Sequence, residues 1–383
     1  MPGRNPPCPP FTKGGNPSFN LALIFSPLYQ RGAGGDLATP TFPRKPAMPP
    51  NPLNLLWLQS GGCGGCTLSL LNAEQPQLFT LLEQAGIRIL WHPSLSQESG
   101  AEALDILAAC AEGRERLDIL CVEGSIMTGP HGSGRFHMLS GTGRPMMSWV
   151  LDLAVRARHV LAVGTCAAFG GITASGGNPA GAVGLQYDGE HAGGLLGQGF
   201  RAGAGLPVIN VAGCPTHPGW VLDTLLALAL ERFTATDLDS LHRPRLYADH
   251  LVHHGCPRNE FYEFKASAEK ASDQGCMMEN MGCKGTQAHA DCNTRLWNGS
   301  GSCLRGGYAC VSCTEPRFEE PGHPFAETPK VAGIPIGLPT DMPKAWFVAL
   351  AALSKSATPK RVRENAVADH TVVTPAVKKT GLK

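Results

Sequence analysis

Cysteine is the residue of this chain best able to do chemistry. There are fourteen, and twelve metal-capable positions, eleven of them thiols, fall into three spaced sets. The first is Cys63-Gly64-Gly65-Cys66 with Cys166 and Cys214. The second is His253, preferred to His254 for its Cys-x-x-Cys-like spacing, with Cys256, Cys276 and Cys283. The third is Cys292, Cys303, Cys310 and Cys313, with Cys310-Val311-Ser312-Cys313 its tightest part. Four thiolates, or three and an imidazole, are the donors of a zinc site or of an iron–sulfur cluster. A thioredoxin-type pair also uses Cys-x-x-Cys after a strand, but it has no need of Cys166 and Cys214 at two further strand ends. Three four-ligand sites in one chain are hard to explain as zinc staples. A row of redox centres explains them better, because electrons need stepping stones. Cys110 and Cys121 sit inside a helix pattern and a strand pattern and read as buried thiols.

The elements around these residues alternate. Short apolar strands are expected at Leu53–Gln59, Ile87–His92, Leu117–Glu123, His159–Gly164 and Leu206–Ala212. Helices are expected between them: over Thr67–Gln84 with a break at Pro76, from Ser99 to Gly113, after Pro145, and from Pro218. Ser99 and Glu102 are spaced as a capping box. Continuous apolar strands separated by helices predict an α/β protein with a doubly wound parallel sheet. In such a sheet ligands bind beyond the carboxyl ends of the strands, at the switch in strand order. Cys63, Cys66, Cys166 and Cys214 each follow a strand, so four thiols are expected to meet there. Gly64 and Gly65 permit a tight turn and leave amides free to approach sulfur.

Residues 236–330 differ. They carry seven of the cysteines and few aliphatic runs, so something other than a normal core is expected to hold them together. Residues 1–52 hold thirteen prolines and no periodicity and are expected to be disordered, with Met48 an alternative start. Pro343 is expected to open a helix through Leu353. The basic stretch from Lys355 is expected to be a solvated tail. The domain reading is therefore 1–52, 53–235, 236–330 and 331–383. Lys plus Arg is 32 and Asp plus Glu 31, for a net charge of +1. That balance argues against an electrostatic nucleic-acid binder. No apolar run reaches the roughly 20 residues of a membrane helix, and the N-terminus has no secretory pattern. The expected location is cytoplasmic, with reduced thiols free to bind metal.

Taken in order, Cys63-Gly-Gly-Cys66-Thr, Gly164-Thr-Cys166-Ala, Gly213-Cys214-Pro-Thr-His-Pro218, Gly282-Cys283-Lys-Gly285, Ala290-Asp-Cys292 and Arg295-Leu-Trp297-Asn298 resemble the small subunit of nickel–iron hydrogenases over residues 53–330. The resemblance implies a flavodoxin-like domain followed by a loop-rich cluster domain. It implies a large-subunit partner holding the nickel–iron centre, and electron transfer rather than hydrogen splitting in this chain. It also implies a proximal 4Fe-4S cluster on Cys63, Cys66, Cys166 and Cys214, and a distal 4Fe-4S cluster on His253, Cys256, Cys276 and Cys283. A medial cluster falls on Cys292, Cys310 and Cys313. Cys303 lies near the place where many members have proline, so a fourth thiolate and a 4Fe-4S medial cluster are expected in place of 3Fe-4S. Gly65 and Gly171 stand where oxygen-tolerant members carry two additional cysteines, so an ordinary proximal cubane is expected. The stretch Gly337-Leu-Pro-Thr-Asp-Met-Pro-Lys-Ala-Trp346 and the basic tail resemble the cytosolic regulatory type. That type senses hydrogen and signals to a histidine kinase, and a second heterodimer is a further implied partner. A cytosolic uptake enzyme is the alternative; a zinc-stabilised module without redox chemistry is the other.

Overall fold

The computed structural model describes residues 52–73, 77–320, 328–331, 334–335 and 343–375. The expected disordered extension lies outside these residues apart from Pro52, as does most of Gly337–Trp346.

Five parallel strands form the central sheet: β1 (Leu53–Gln59), β2 (Ile87–Trp91), β3 (Ile119–Glu123), β4 (His159–Val163) and β5 (Ile209–Val211). Their order is β5-β4-β3-β1-β2, the flavodoxin-like arrangement whose switch point lies between β1 and β3. The register aligns Gln59 with Glu123, Glu123 with Val163 and Val163 with Val211. Three neighbouring strands thus end level with β1, and the loops that follow all begin at one rim.

Alternate strand residues point to opposite faces. Leu56, Leu58, Leu120 and Val122 join Leu107, Val150 and Leu153 in one buried cluster. Those last three come from α3 (Gly100–Glu112) and α4 (Met146–Ala154). Leu55, Trp57, Ile119 and Cys121, of the other parity, are also almost fully buried. On that side α6 (Pro218–Ala229) packs against α1 (Gly65–Leu71) and α2 (Leu78–Gln84). Burying each such aliphatic side chain contributes about 1.5–3 kcal/mol. Cys110 and Cys121 are wholly buried within α3 and β3, as expected.

Three local expectations are corrected. Ser99 occupies the N-cap of α3 but its side chain makes no capping bond; Gly100 lies at φ +55, so the first-turn amides do not face the hydroxyl. Strand β5 is shorter than its apolar run: Pro207 has no N–H, and the Val208 amide donates to Gln186 Oε1 at 2.9 Å. The basic tail is not solvated throughout. After α9 (Lys344–Ser356), residues Lys360–Ala366 form α10, which buries Val362, Asn365 and Ala366. The Gly275 and Gln274 amides donate to the Ala366 and Ala368 carbonyls at 2.9 Å each. The alternation of basic residues with Val362 and Ala366 concealed one apolar stripe.

Residues 236–320 hold only two short helices, α7 (Arg245–Ala248) and α8 (Asn259–Glu263), and 3₁₀ turns. Their buried side chains include Arg243, Asp273, Asp291, Asn293 and Thr314. Arg243 anchors this segment, bonding Asp239 and Glu315 at 2.8 Å each. Among the described residues no helix is long and apolar enough to cross a membrane.

Candidate metal centres

The first thiol set is built by the sheet rim. Gly64, at φ +72, starts α1 directly after Cys63. The Gly65 amide donates to Cys63 Sγ at 3.3 Å, and a Cβ at Gly65 would lie 3.0 Å from that sulfur. Gly164, at φ +88, leaves no room for a side chain beside Cys66 Sγ, and a Cβ at Gly171 would lie 2.8 Å from Cys166 Sγ. Cys166 lies in the short helix α5 (Thr165–Phe169), which is tied to the Cys214 loop: the Thr165 amide donates to the Gly213 carbonyl at 3.0 Å, and the Gly213 amide to Thr165 Oγ1 at 2.9 Å. Cys66, Cys166 and Cys214 face one another. Burial pushes the Cys66 thiol far up, with Glu123, Cys166 and Cys214 adding to it. Cys166 is pushed up to about 11 by burial and then by Cys214 and Cys63. Cys214 is pushed up to about 11 by burial and then by Cys313 and Cys63.

Sequence reasoning missed the hub beneath this set. Glu123, at the end of β3, is buried. Its Oε1 accepts the Cys66 and Thr67 amides at 3.0 and 3.1 Å. Its Oε2 accepts Trp57 Nε1 at 3.2 Å, Gln59 Nε2 at 3.3 Å and the Thr67 hydroxyl. The only signal in the sequence is an acidic residue ending a continuous apolar strand.

The second set lies between α8 and the turns around it. The Arg258 amide donates to Cys256 Sγ at 3.3 Å, the Met278 amide to Cys276 Sγ at 3.5 Å and the Cys310 amide to Cys283 Sγ at 3.4 Å. Cys276 is pushed up to about 12 by burial, with Cys283 and Cys256 beside it. The His253 amide donates to the Gly285 carbonyl at 3.0 Å, which brings the His253 turn onto the Cys283 loop. The His253 and His254 rings lie 4.5 Å apart.

In the third set burial raises Cys292 far above its ordinary value, with Cys313 and Cys303 adding to it. Burial also raises Cys310, beside Cys283, Cys313 and Cys292. The Ser312 amide donates to Cys310 Sγ at 3.4 Å. Cys303 is exposed yet faces both Cys292 and Cys313. The third set touches both others. Cys214 and Cys313 lie beside one another, the Thr165 hydroxyl donates to the Cys313 carbonyl, and the Cys310 amide reaches Cys283 Sγ as above. Among the described residues, no three His, Cys, Asp or Glu side chains close on a point suited to one metal ion.

These donors fit iron–sulfur clusters. Cys66, Cys166, Cys214, Cys276, Cys292, Cys310 and Cys313 are held up by burial and by neighbouring thiols, so as free thiols these stay protonated near neutral pH. A multivalent cationic group makes them thiolates. Amide N–H groups aimed at sulfur, and glycines that admit a bulky group, are what cluster thiolates require.

A parallel α/β sheet ending on thiols and continuing into a thiol-rich segment is the architecture of an iron–sulfur electron carrier. Residues 63–228 match the NADH ubiquinone oxidoreductase 20 Kd subunit family, and residues 248–326 match the family of the C-terminal part of the NiFe/NiFeSe hydrogenase small subunit. The F420 non-reducing hydrogenase II small subunit of Methanosarcina mazei is 33% identical over 299 residues, covering 71% of this chain and 74% of that protein. The NiFeSe hydrogenase structure from Desulfovibrio vulgaris Hildenborough aligns with TM-score 0.62 at 30% identity, covering 72% of this chain and 98% of that one. The actinobacterial-type NiFe hydrogenase from Ralstonia eutropha H16 aligns with TM-score 0.67 at 28% identity, covering 90% of this chain and 100% of that one. The chain belongs to the nickel–iron hydrogenase small-subunit family. It is the electron-transferring, iron–sulfur subunit of a hydrogenase and pairs with a large subunit.

Proposed function

We propose that the chain holds three clusters in a row and relays electrons from the large subunit's nickel–iron centre to an acceptor. Cys63, Cys66, Cys166 and Cys214 would hold the proximal cluster. Cys292, Cys303, Cys310 and Cys313 would hold the medial one, and His253, Cys256, Cys276 and Cys283 the distal one. When bound, such clusters take up and pass on single electrons. The observation that carries the reading is the contact order: the third set adjoins the first through Cys313 and Cys214, and the second through Cys310 and Cys283. The residues themselves exclude water from the sulfurs and direct amides at them. Glu123 fixes the Cys66 turn. Cys63 is exposed, and Leu68, Leu71, Phe136 and Ile172 present apolar surface from loops and helices at the same rim; this supports docking of the large subunit there.

Electron paramagnetic resonance of the mildly oxidised protein tests the ligand sets. No stoichiometric three-iron signal is expected from the wild type, and Cys303→Pro is expected to create one. A three-iron signal in the wild type overturns the role of Cys303. A colourless protein holding zinc overturns the relay.

The cytoplasmic, hydrogen-sensing role rests on the resemblance of Gly337–Trp346. Co-purification of the assembled hydrogenase with a histidine kinase tests it; rapid turnover with a respiratory acceptor and no kinase supports the uptake alternative.

A further inference from the structure

We propose that the cavity between α8, α9 and the turn bearing Cys276 binds a planar aromatic electron acceptor with an acidic oxygen, of the hydroxynaphthoquinone class. The proposal rests on the relay reading above, in which Cys276 belongs to the last centre of the row. The cavity has a volume of about 250 Å³, and Cys276 and Met278 line it together with Phe347, Ala351 and Ala352 of α9. It therefore reaches a ligand of the terminal centre directly. Its walls are mostly apolar, and the two alanines leave α9 flat where it borders the space.

One cation is aimed at this apolar space. Lys265 Nζ lies 3.7 Å from the Tyr262 ring centroid and 4.8 Å from that of Phe347. Among the described residues Lys265 forms no ion pair, whereas the other lysine of the cavity, Lys355, is held by Glu279 at 2.7 Å. The backbone at Lys265 gives a second, independent indication. It occupies the position after the C-cap of α8 at φ +52. The Ala266 amide donates to the Phe261 carbonyl at 2.8 Å and the Lys265 amide to that of Tyr262 at 3.0 Å. This is the helix-ending turn in which glycine is favoured. A lysine keeps that place although its backbone is strained there, and its ammonium is directed back over two aromatic rings. Flat apolar walls and one ammonium outside any ion pair complement a flat ring system bearing a negative oxygen.

The redox balance closes without another reactant. One hydrogen molecule yields two protons and two electrons at the partner's centre. The electrons arrive one at a time, and the quinone takes both with two protons to give the hydroquinone.

The test uses the assembled holoenzyme with 2-hydroxy-1,4-naphthoquinone. Calorimetry is expected to show one saturable site per heterodimer. Ala352→Phe, which fills the cavity, is expected to raise Kd at least tenfold. Lys265→Met is expected to do the same for the acidic quinone and to change the Kd of neutral 1,4-naphthoquinone less than threefold. Ala351→Leu, a milder filling, is expected to act in the same direction and covers the case in which Ala352→Phe loses iron. Hydrogen oxidation with benzyl viologen, iron content and cluster spectra are expected to stay at wild-type values. No saturable binding, or an unchanged Kd in both filled variants, overturns the proposal. Absent cluster spectra in the wild type overturn the relay reading instead.

Discussion

The sheet and the thiol-rich segment are held together by different physics. In the sheet, Ile119 through Val122 and Val160 through Val163 are fully buried and flanked by helices. In residues 236–320 scattered apolar side chains are buried among polar ones such as Arg243, Asp273, Asp291, Asn293 and Thr314, and two short helices carry the α-structure. One region folds because apolar surface leaves water. The other has turns, a buried Arg243 bridge and thiols that repel one another's ionisation, so its folding energy is expected to come from metal binding. A hydrogenase small subunit is thus two kinds of core in one chain.

The largest effect expected from this difference follows iron removal. In protein made under iron depletion, amides of residues 250–315 are expected to lose hydrogen-exchange protection by orders of magnitude, while β1, β3 and β4 stay protected. Uniform loss, or uniform retention, breaks the comparison.

Truncation after Ser354 is the next largest. It deletes α10 and the turn after it, whose Ala366 and Ala368 carbonyls receive the Gly275 and Gln274 amides beside Cys276. The distal cluster's spectral signal is expected to fall by more than half, with dye-linked turnover falling alongside it and the proximal signal retained. Intact turnover would restore the solvated tail that the charge pattern alone implies.

Leu56→Ala sharpens the other side. It opens a cavity in the fully buried sheet core and is expected to cost about 2–5 kcal/mol, read as a lower denaturation midpoint. Iron per folded molecule is expected not to change.

A smaller effect is pH-dependent. Burial holds His92 and His159 down to about 4; at His159 the neighbouring Arg158 adds to burial. Their folded values lie below the unfolded value of 6.5, so the folded sheet takes up fewer protons. Their contribution is complete above pH 6.5 and is lost as pH falls toward 4, by up to about 1.4 kcal/mol per pH unit for each group. His159→Gln is expected to flatten the stability profile over that window. The least effect belongs to Arg361→Ala, which removes a surface pair with Glu260 and is expected to leave the denaturation midpoint nearly unchanged.

What could be read in the sequence follows the same division. Strand and helix order was legible because buried parallel strands are written as unbroken apolar runs. Gly113 ends α3 at φ +78 as its position implies, and Pro218 begins α6. The three thiol sets were legible because their ligand types and spacings restrict each other. Glu123 was not, because nothing local distinguishes a strand-ending carboxylate that collects five donors from one that meets water. Lys265 was not, since lysine gives no sign of a glycine-like backbone. α10 was not, because its buried stripe of Val362, Asn365 and Ala366 is brief and lies among charges.

The docking of α10 also sets a timetable. The chain leaves the ribosome from its N-terminus, so the sheet and its rim can close while synthesis continues. The loop around Cys276 lacks its covering helix until residues 360–368 have emerged, long after its own thiols are exposed to the cell. The proximal site can therefore be loaded early in translation, whereas the distal one is finished only once residues 360–368 have followed. Whatever delivers iron there must meet a protein already folded at its other end.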